Sequence, residues 1–162
     1  MKGRDGGKRL SVEQTGRGVN CFACGAKNDR GLHMRFRHEG ERAVCDYTPC
    51  EYQQGYPNRM HGGVVATLID EAMGWAVYGG ARWGATARLN IRFRKPVPLD
   101  APLRVEAWIV RNRPRLLELR GELRDAAGTL LAEAEGTFMM LDEGLGAEMS
   151  DVARRIGRDD AP

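Results

Sequence analysis

One stretch of this chain, residues 61–78, carries apolar residues at helical spacing, whereas from residue 84 to 141 they fall at every second position. That contrast constrains the fold more than any other feature. Val65, Leu68, Ile69, Ala72, Ala76 and Tyr78 lie mostly on one face of a helix that starts near His61 and is expected to stop at Gly79-Gly80. After it come four strand patterns, over 84–98, 102–113, 115–125 and 129–141. In the first, Leu89, Ile91 and Phe93 share one face and Arg88, Asn90, Arg92 and Arg94 the other. The last two are joined by "AAGT", a hairpin turn. Ahead of the helix, "LHMRFR" (32–37) alternates as a half-buried strand does, and "RAVCDYTP" (42–49) follows after the turn "HEGE". The order β-β-α-β-β-β-β leaves a single helix to be covered by a largely antiparallel, curved sheet, an α+β architecture.

The chain has 162 residues, enough for one domain with a sizeable core. Residues 1–19, rich in Gly, Lys and Arg, read as a flexible arm, residues 20–141 as the folded domain, and residues 142–162 as a polar tail. The opening "MKGRDGGKRLSVEQTGRG" lacks the apolar core of a secretory signal, and no window approaches a membrane span, so a cytoplasmic location away from membranes is expected. A net charge of +3 is mild. It suits an anionic small ligand and is too weak to argue for nucleic-acid binding.

Four cysteines occur, Cys21, Cys24, Cys45 and Cys50. A disulfide framework is not expected in a cytosolic chain. Cys21-x-x-Cys24 is half of a zinc pattern, but Cys45 and Cys50 form a loose second pair, so no metal is expected and the cysteines are read as turn and core residues.

The helix itself opens unusually. In "NRMHGGVVATLIDEAMG" (58–74) a histidine and two glycines begin it, and two carboxylates fall inside its apolar part. Glycine is a poor helix former and a buried carboxylate is costly, so both features ask for a reason beyond packing. With "CFACGAKNDRGL" (21–32), "QGYPNRMHGG" (54–63), "TLIDEAMG" (67–74) and "LNIRFRKPVP" (89–98), the pattern over about residues 20–141 resembles the hotdog-fold acyl-CoA thioesterases. Within them it is similar to the 4-hydroxybenzoyl-CoA and phenylacetate-pathway (PaaI-type) group.

A helix N-terminus gathers unpaired N–H groups and partial positive charge, and Gly62 and Gly63 would let a thioester carbonyl approach without a Cβ in the way. The resemblance implies that a backbone N–H in this turn polarises the carbonyl, a role carried to Gly63 with Gly62 in support, and that a carboxylate activates water or attacks the thioester, a role carried to Asp70 with Glu71 as rival. His61 is read mainly as a residue bonding across the turn to fix it. Thr86 matches a strand position where relatives hold the water. Relatives often place Asn or Gln six residues before the histidine. Here Gly55 stands there, leaving Gln54 as the candidate to hold the carbonyl or the turn. Asn90, Arg92, Arg94 and Lys95 are candidates for binding the substrate, the cations for the phosphates of coenzyme A. His33 and His38 receive no role, and Trp75, Trp83 and Trp108 are read as core or interface.

Nine helical residues advance about 13.5 Å and turn through about half a revolution, so His61 and Asp70 of one chain face opposite ways. If both serve one reaction, the site is shared between subunits. A homodimer, with a dimer of dimers open, is therefore expected, as the resemblance also implies. The resulting expectation is hydrolysis of an acyl-CoA thioester without a cofactor. A non-catalytic hotdog module binding acyl-CoA or a related ligand is the alternative, and a hotdog dehydratase and a small zinc-binding regulatory domain stand further back.

Overall fold

The computed structural model describes residues 20–78, 83–142 and 144. The expected arm (1–19), the tail beyond 144 and the expected stop at Gly79-Gly80 lie outside the described residues. Six strands, β1 (Arg37–Glu39), β2 (Arg42–Tyr47), β3 (Gly84–Phe93), β4 (Leu103–Asn112), β5 (Leu116–Asp125) and β6 (Leu130–Met140), and one helix, α1 (Gly62–Tyr78), appear in the expected order. The strands form one antiparallel sheet in the spatial order β1-β2-β4-β5-β6-β3. The strand that follows the helix therefore crosses to the far edge and pairs only with β6.

Helix α1 lies across a row of small residues. Ala43, Ala107, Gly121 and Ala134 are direct neighbours on four successive strands. A Cβ built on Gly121 would lie 2.6 Å from Ile69 Cγ2 and 3.2 Å from Met73 Cε, so the row is the trough that lets the helix backbone approach the sheet. Into it go Leu68, Ile69, Ala72 and Met73, none of them exposed. Trp75 is buried as well, with Phe36 stacked on it at 5.4 Å between ring centroids, so the helix is covered from the N-terminal segment too. Its buried surface is thus wider than the one face expected. Ile69 is β-branched and stiff in a helix. Gly121→Ala should therefore overpack the trough and lower unfolding free energy by about 1–3 kcal/mol. A urea midpoint equal to wild type would contradict this packing.

The first strand is shorter and later than expected, starting at Arg37 instead of Leu32. Leu32, Met34 and Phe36 are buried and His33 and Arg35 exposed, as the alternation implied, but residues 32–36 join no strand of the sheet. Leu32 N–H donates to Phe22 O and Met34 N–H to Ala23 O, and His33 sits at φ 52. The alternation records packing over the helix and the cysteine turn rather than a ladder. No described helix is long and apolar enough to cross a membrane.

Candidate active site

The loop before α1 is built around its histidine. Gln54 Oε1 accepts the Asn58 N–H at 2.9 Å, Gly55 N–H donates to Arg59 O, and His61 N–H donates to Gln53 O, which closes the loop over 53–61. Asn58 takes φ 59, a conformation asparagine tolerates. A Cβ at Gly55 would lie 3.0 Å from His61 Cα and 3.3 Å from its Cβ, so glycine here is what seats the histidine. Gly55 was legible only as a departure from a pattern, and its steric reason appears only in three dimensions. The side-chain oxygen of Gln54 is engaged within the loop.

His61 precedes the first helical residue and its Nδ1 accepts the Gly63 N–H at 2.9 Å. A neutral imidazole accepting at Nδ1 carries its proton on Nε2. His61 thus satisfies one of the donors a helix start leaves unpaired. Gly62 N–H has no acceptor among the described residues. The turn is exposed to solvent, and a Cβ on Gly62 would lie 3.6 Å from the ring of Phe93, itself an exposed apolar residue at 54% accessibility. The sequence places Phe93 only on a strand face; its position beside the turn appears in three dimensions.

Asp70, half-buried midway along α1, accepts a hydrogen bond from Thr86 Oγ1 at 2.8 Å. The structure brings these two candidates together. A bulge in β3, where Thr86 faces Phe138 and Arg88 faces Thr137 of β6, adds one residue between them. Thr86 thereby points to the helix while Asn90, four residues on, faces the opposite side of the sheet. Asn90 and Arg92 line a cleft of about 220 Å³ there with Arg120, Glu122, Glu133 and Glu135. Arg94 is ion-paired with Glu133. Asn90, Arg92 and Arg94 are therefore not gathered with Asp70 in one chain, and Lys95 follows them at the strand end.

Glu71 is placed differently from its neighbour. It accepts the indole N–H of Trp75 at 3.0 Å, and its other oxygen lies 4.0 Å from Cys21 Sγ. Cys21, Cys24 and Glu71 offer donor atoms all within 4.8 Å of one another, three donors where a closed zinc site takes four. Cys45 is buried in β2 and Cys50 is exposed, and neither joins them. The hydrogen bond from the Cys24 thiol, opposed by burial and by the Glu71 charge, holds the Cys21 thiol below its ordinary range. The same bond, then burial, pushes Cys24 well above it. Local sequence pattern could not have found this grouping, because it joins positions 50 residues apart.

The sequence model of the thioesterase superfamily matches residues 58–132, the stretch from the histidine turn into β6. The chain is 39% identical over 124 residues to bovine (Bos taurus) acyl-coenzyme A thioesterase THEM4, a match covering 75% of this chain and 51% of that protein, so the chain spans about half the length of this relative. In fold it is similar to the thioesterase superfamily protein RHA08564, with a TM-score of 0.69 and 29% identity over 72% of this chain and 61% of the other. It is also similar to the PaaI protein of the E. coli phenylacetic acid degradation operon, with a TM-score of 0.65 and 17% identity over 68% and 81%. These likenesses share the architecture of one helix wrapped by an antiparallel sheet.

Proposed function

We propose that this chain, which has the hotdog fold and whose residues 58–132 match the thioesterase superfamily, is a member of that superfamily and hydrolyses an acyl-CoA thioester to the free acid and coenzyme A. The observation that carries the reading is the Thr86–Asp70 hydrogen bond. A carboxylate half-buried on an apolar helix, with a hydroxyl aiming it, is poised to take a proton from water or to attack a thioester carbon.

The electrophilic half is the turn at the start of α1. The thioester carbonyl approaches Gly62 and Gly63, where no Cβ intervenes. Gly62 N–H is the donor without an acceptor among the described residues, and Gly63 N–H becomes available when the carbonyl replaces His61 Nδ1. Negative charge that develops on the carbonyl oxygen is stabilised by these donors and by the positive end of the helix dipole. Exchange of one acceptor for another at Gly63 gives His61 a switching role within the turn, with no proton transfer required of it. Phe93 forms an apolar wall beside the turn for the thioester arm. Arg59, Arg94 and Lys95, on the two segments flanking the turn, are the cations for the phosphates of coenzyme A. No metal or redox cofactor enters the reaction proposed.

Asp70 stands seven and eight residues beyond Gly63 and Gly62, about 10–12 Å along one helix, too far for both ends to reach one scissile bond, so the reacting pair comes from two subunits of a homodimer. The ten-residue strand β3 supports this: it is an edge strand, mostly exposed, and a sheet edge of that length is ordinarily covered. Joining two β3 edges would bring two copies of α1 side by side. A cytoplasmic location is part of the same reading.

The test is release of free thiol from a panel of acyl-CoA esters spanning aryl, short-chain and medium-chain groups. Turnover of at least one ester, with stoichiometric acid and coenzyme A, is expected. Saturable acyl-CoA binding with no thiol released would replace hydrolysis by the binding-module reading.

A further inference from the structure

Outside the proposed active site, the grouping of Cys21, Cys24 and Glu71 has the parts of a reactive dithiol. We propose that Cys21 and Cys24 form a redox-active thiol pair that exchanges with low-molecular-weight disulfides, Cys21 as the attacking sulfur, Cys24 as the resolving sulfur and Glu71 as proton acceptor.

Three features of the geometry carry this. The two cysteines are three residues apart on one tight turn, closed by Gly25 N–H donating to Cys21 O at 2.9 Å. Such spacing puts Cβ atoms about 5–6 Å apart, close to what a disulfide needs after slight adjustment. The pair is asymmetric: Cys21 is partly accessible and Cys24 is fully buried at 0%. An incoming disulfide can therefore reach only Cys21, and an intermediate formed there is met from inside by Cys24. Finally, a carboxylate lies against both sulfurs and is itself oriented by the Trp75 indole. A buried thiol must lose its proton before it can attack, and a carboxylate within reach supplies the acceptor. The surroundings that favour the thiolate at Cys21 and the thiol at Cys24 agree with that division of roles.

The exchange balances. The Cys21 thiolate attacks one sulfur of RS–SR; that bond breaks and RS⁻ leaves, taking a proton from solvent. Cys24 passes its proton to Glu71 and its sulfur attacks Cys21 Sγ in the mixed disulfide. A second RS⁻ leaves and acquires the proton from Glu71 by way of solvent. Two protein thiols are oxidised to one disulfide, and one external disulfide is reduced to two thiols.

Glutathione disulfide is the probe, with the full chain incubated over a range of reduced-to-oxidised ratios, quenched by alkylation and read by peptide mass spectrometry. A reversible Cys21–Cys24 disulfide is expected. Cys24→Ser should instead accumulate glutathione at Cys21, and Glu71→Gln should slow conversion of mixed to internal disulfide by about tenfold or more. In the unmodified reduced protein at neutral pH, Cys21 should also alkylate faster than the exposed Cys50, a comparison that needs no variant to fold. Alkylation of Cys21 no faster than Cys50, or absence of the internal disulfide at every ratio, would overturn the proposal. So would stoichiometric zinc held by Cys21 and Cys24 that blocks the exchange.

Discussion

Asp70→Asn is expected to lower kcat for acyl-CoA hydrolysis by at least about 10²-fold, the scale on which a general base or nucleophile acts. Asparagine keeps the shape and can still accept from Thr86 Oγ1 through its amide oxygen, so the local hydrogen bond survives. What it loses is basicity. Because that interaction strengthens only as charge moves toward the transition state, affinity for acyl-CoA should change little. Glu71→Gln is the internal control. The adjacent carboxylate holds Trp75 and the cysteine pair instead of Thr86, and its neutral analogue should stay within about tenfold of wild type. Abolished turnover in the Glu71 variant with near-normal turnover in the Asp70 variant would move the assignment by one residue.

The strands after the helix were legible because a half-buried sheet imposes a period of two, and four of the six observed strands follow that period closely. Helix α1 was legible for the same kind of reason, down to its start beside His61. What local pattern cannot carry is pairing. Nothing in residues 84–93 announces that they cross to the far edge beside β6, or that one extra residue after Thr86 turns Asn90 to the outer face. The segment 32–36 misled because burial alternates there without a ladder: its N–H groups go to the cysteine turn. The catalytic candidates show the same division. Asp70 was singled out by the cost of its position in an apolar stretch, and Thr86 was found only as a matching position, yet the bond between them depends on tertiary packing. Glu71 carries the same packing cost as Asp70; the resemblance, through the spacing from His61, favours Asp70, and the structure gives the two carboxylates different partners. Gly121 reads as an ordinary glycine until Ile69 is seen pressed against it, and the reason for Gly55 appears only with His61 in place.

In the proposed mechanism each active site takes its carboxylate from one subunit and its carbonyl-polarising turn from the other. Gly63→Pro disables the turn: proline removes the N–H, and even a Cβ there would lie 3.1 Å from His61 Nδ1, so the histidine is displaced. Proline in the first turn of a helix is tolerated, so the fold should survive. Gly63→Pro and Asp70→Asn homodimers should each be nearly inactive. Mixed in equal amounts and allowed to exchange subunits, half of the dimers become hybrids, each with one intact composite site and one doubly defective one. Recovered activity should approach about a quarter of wild type, well above either parent. Hybrid dimers that form, as read by native mass spectrometry, yet recover no activity would contradict the shared site; so would a stable, fully active monomer.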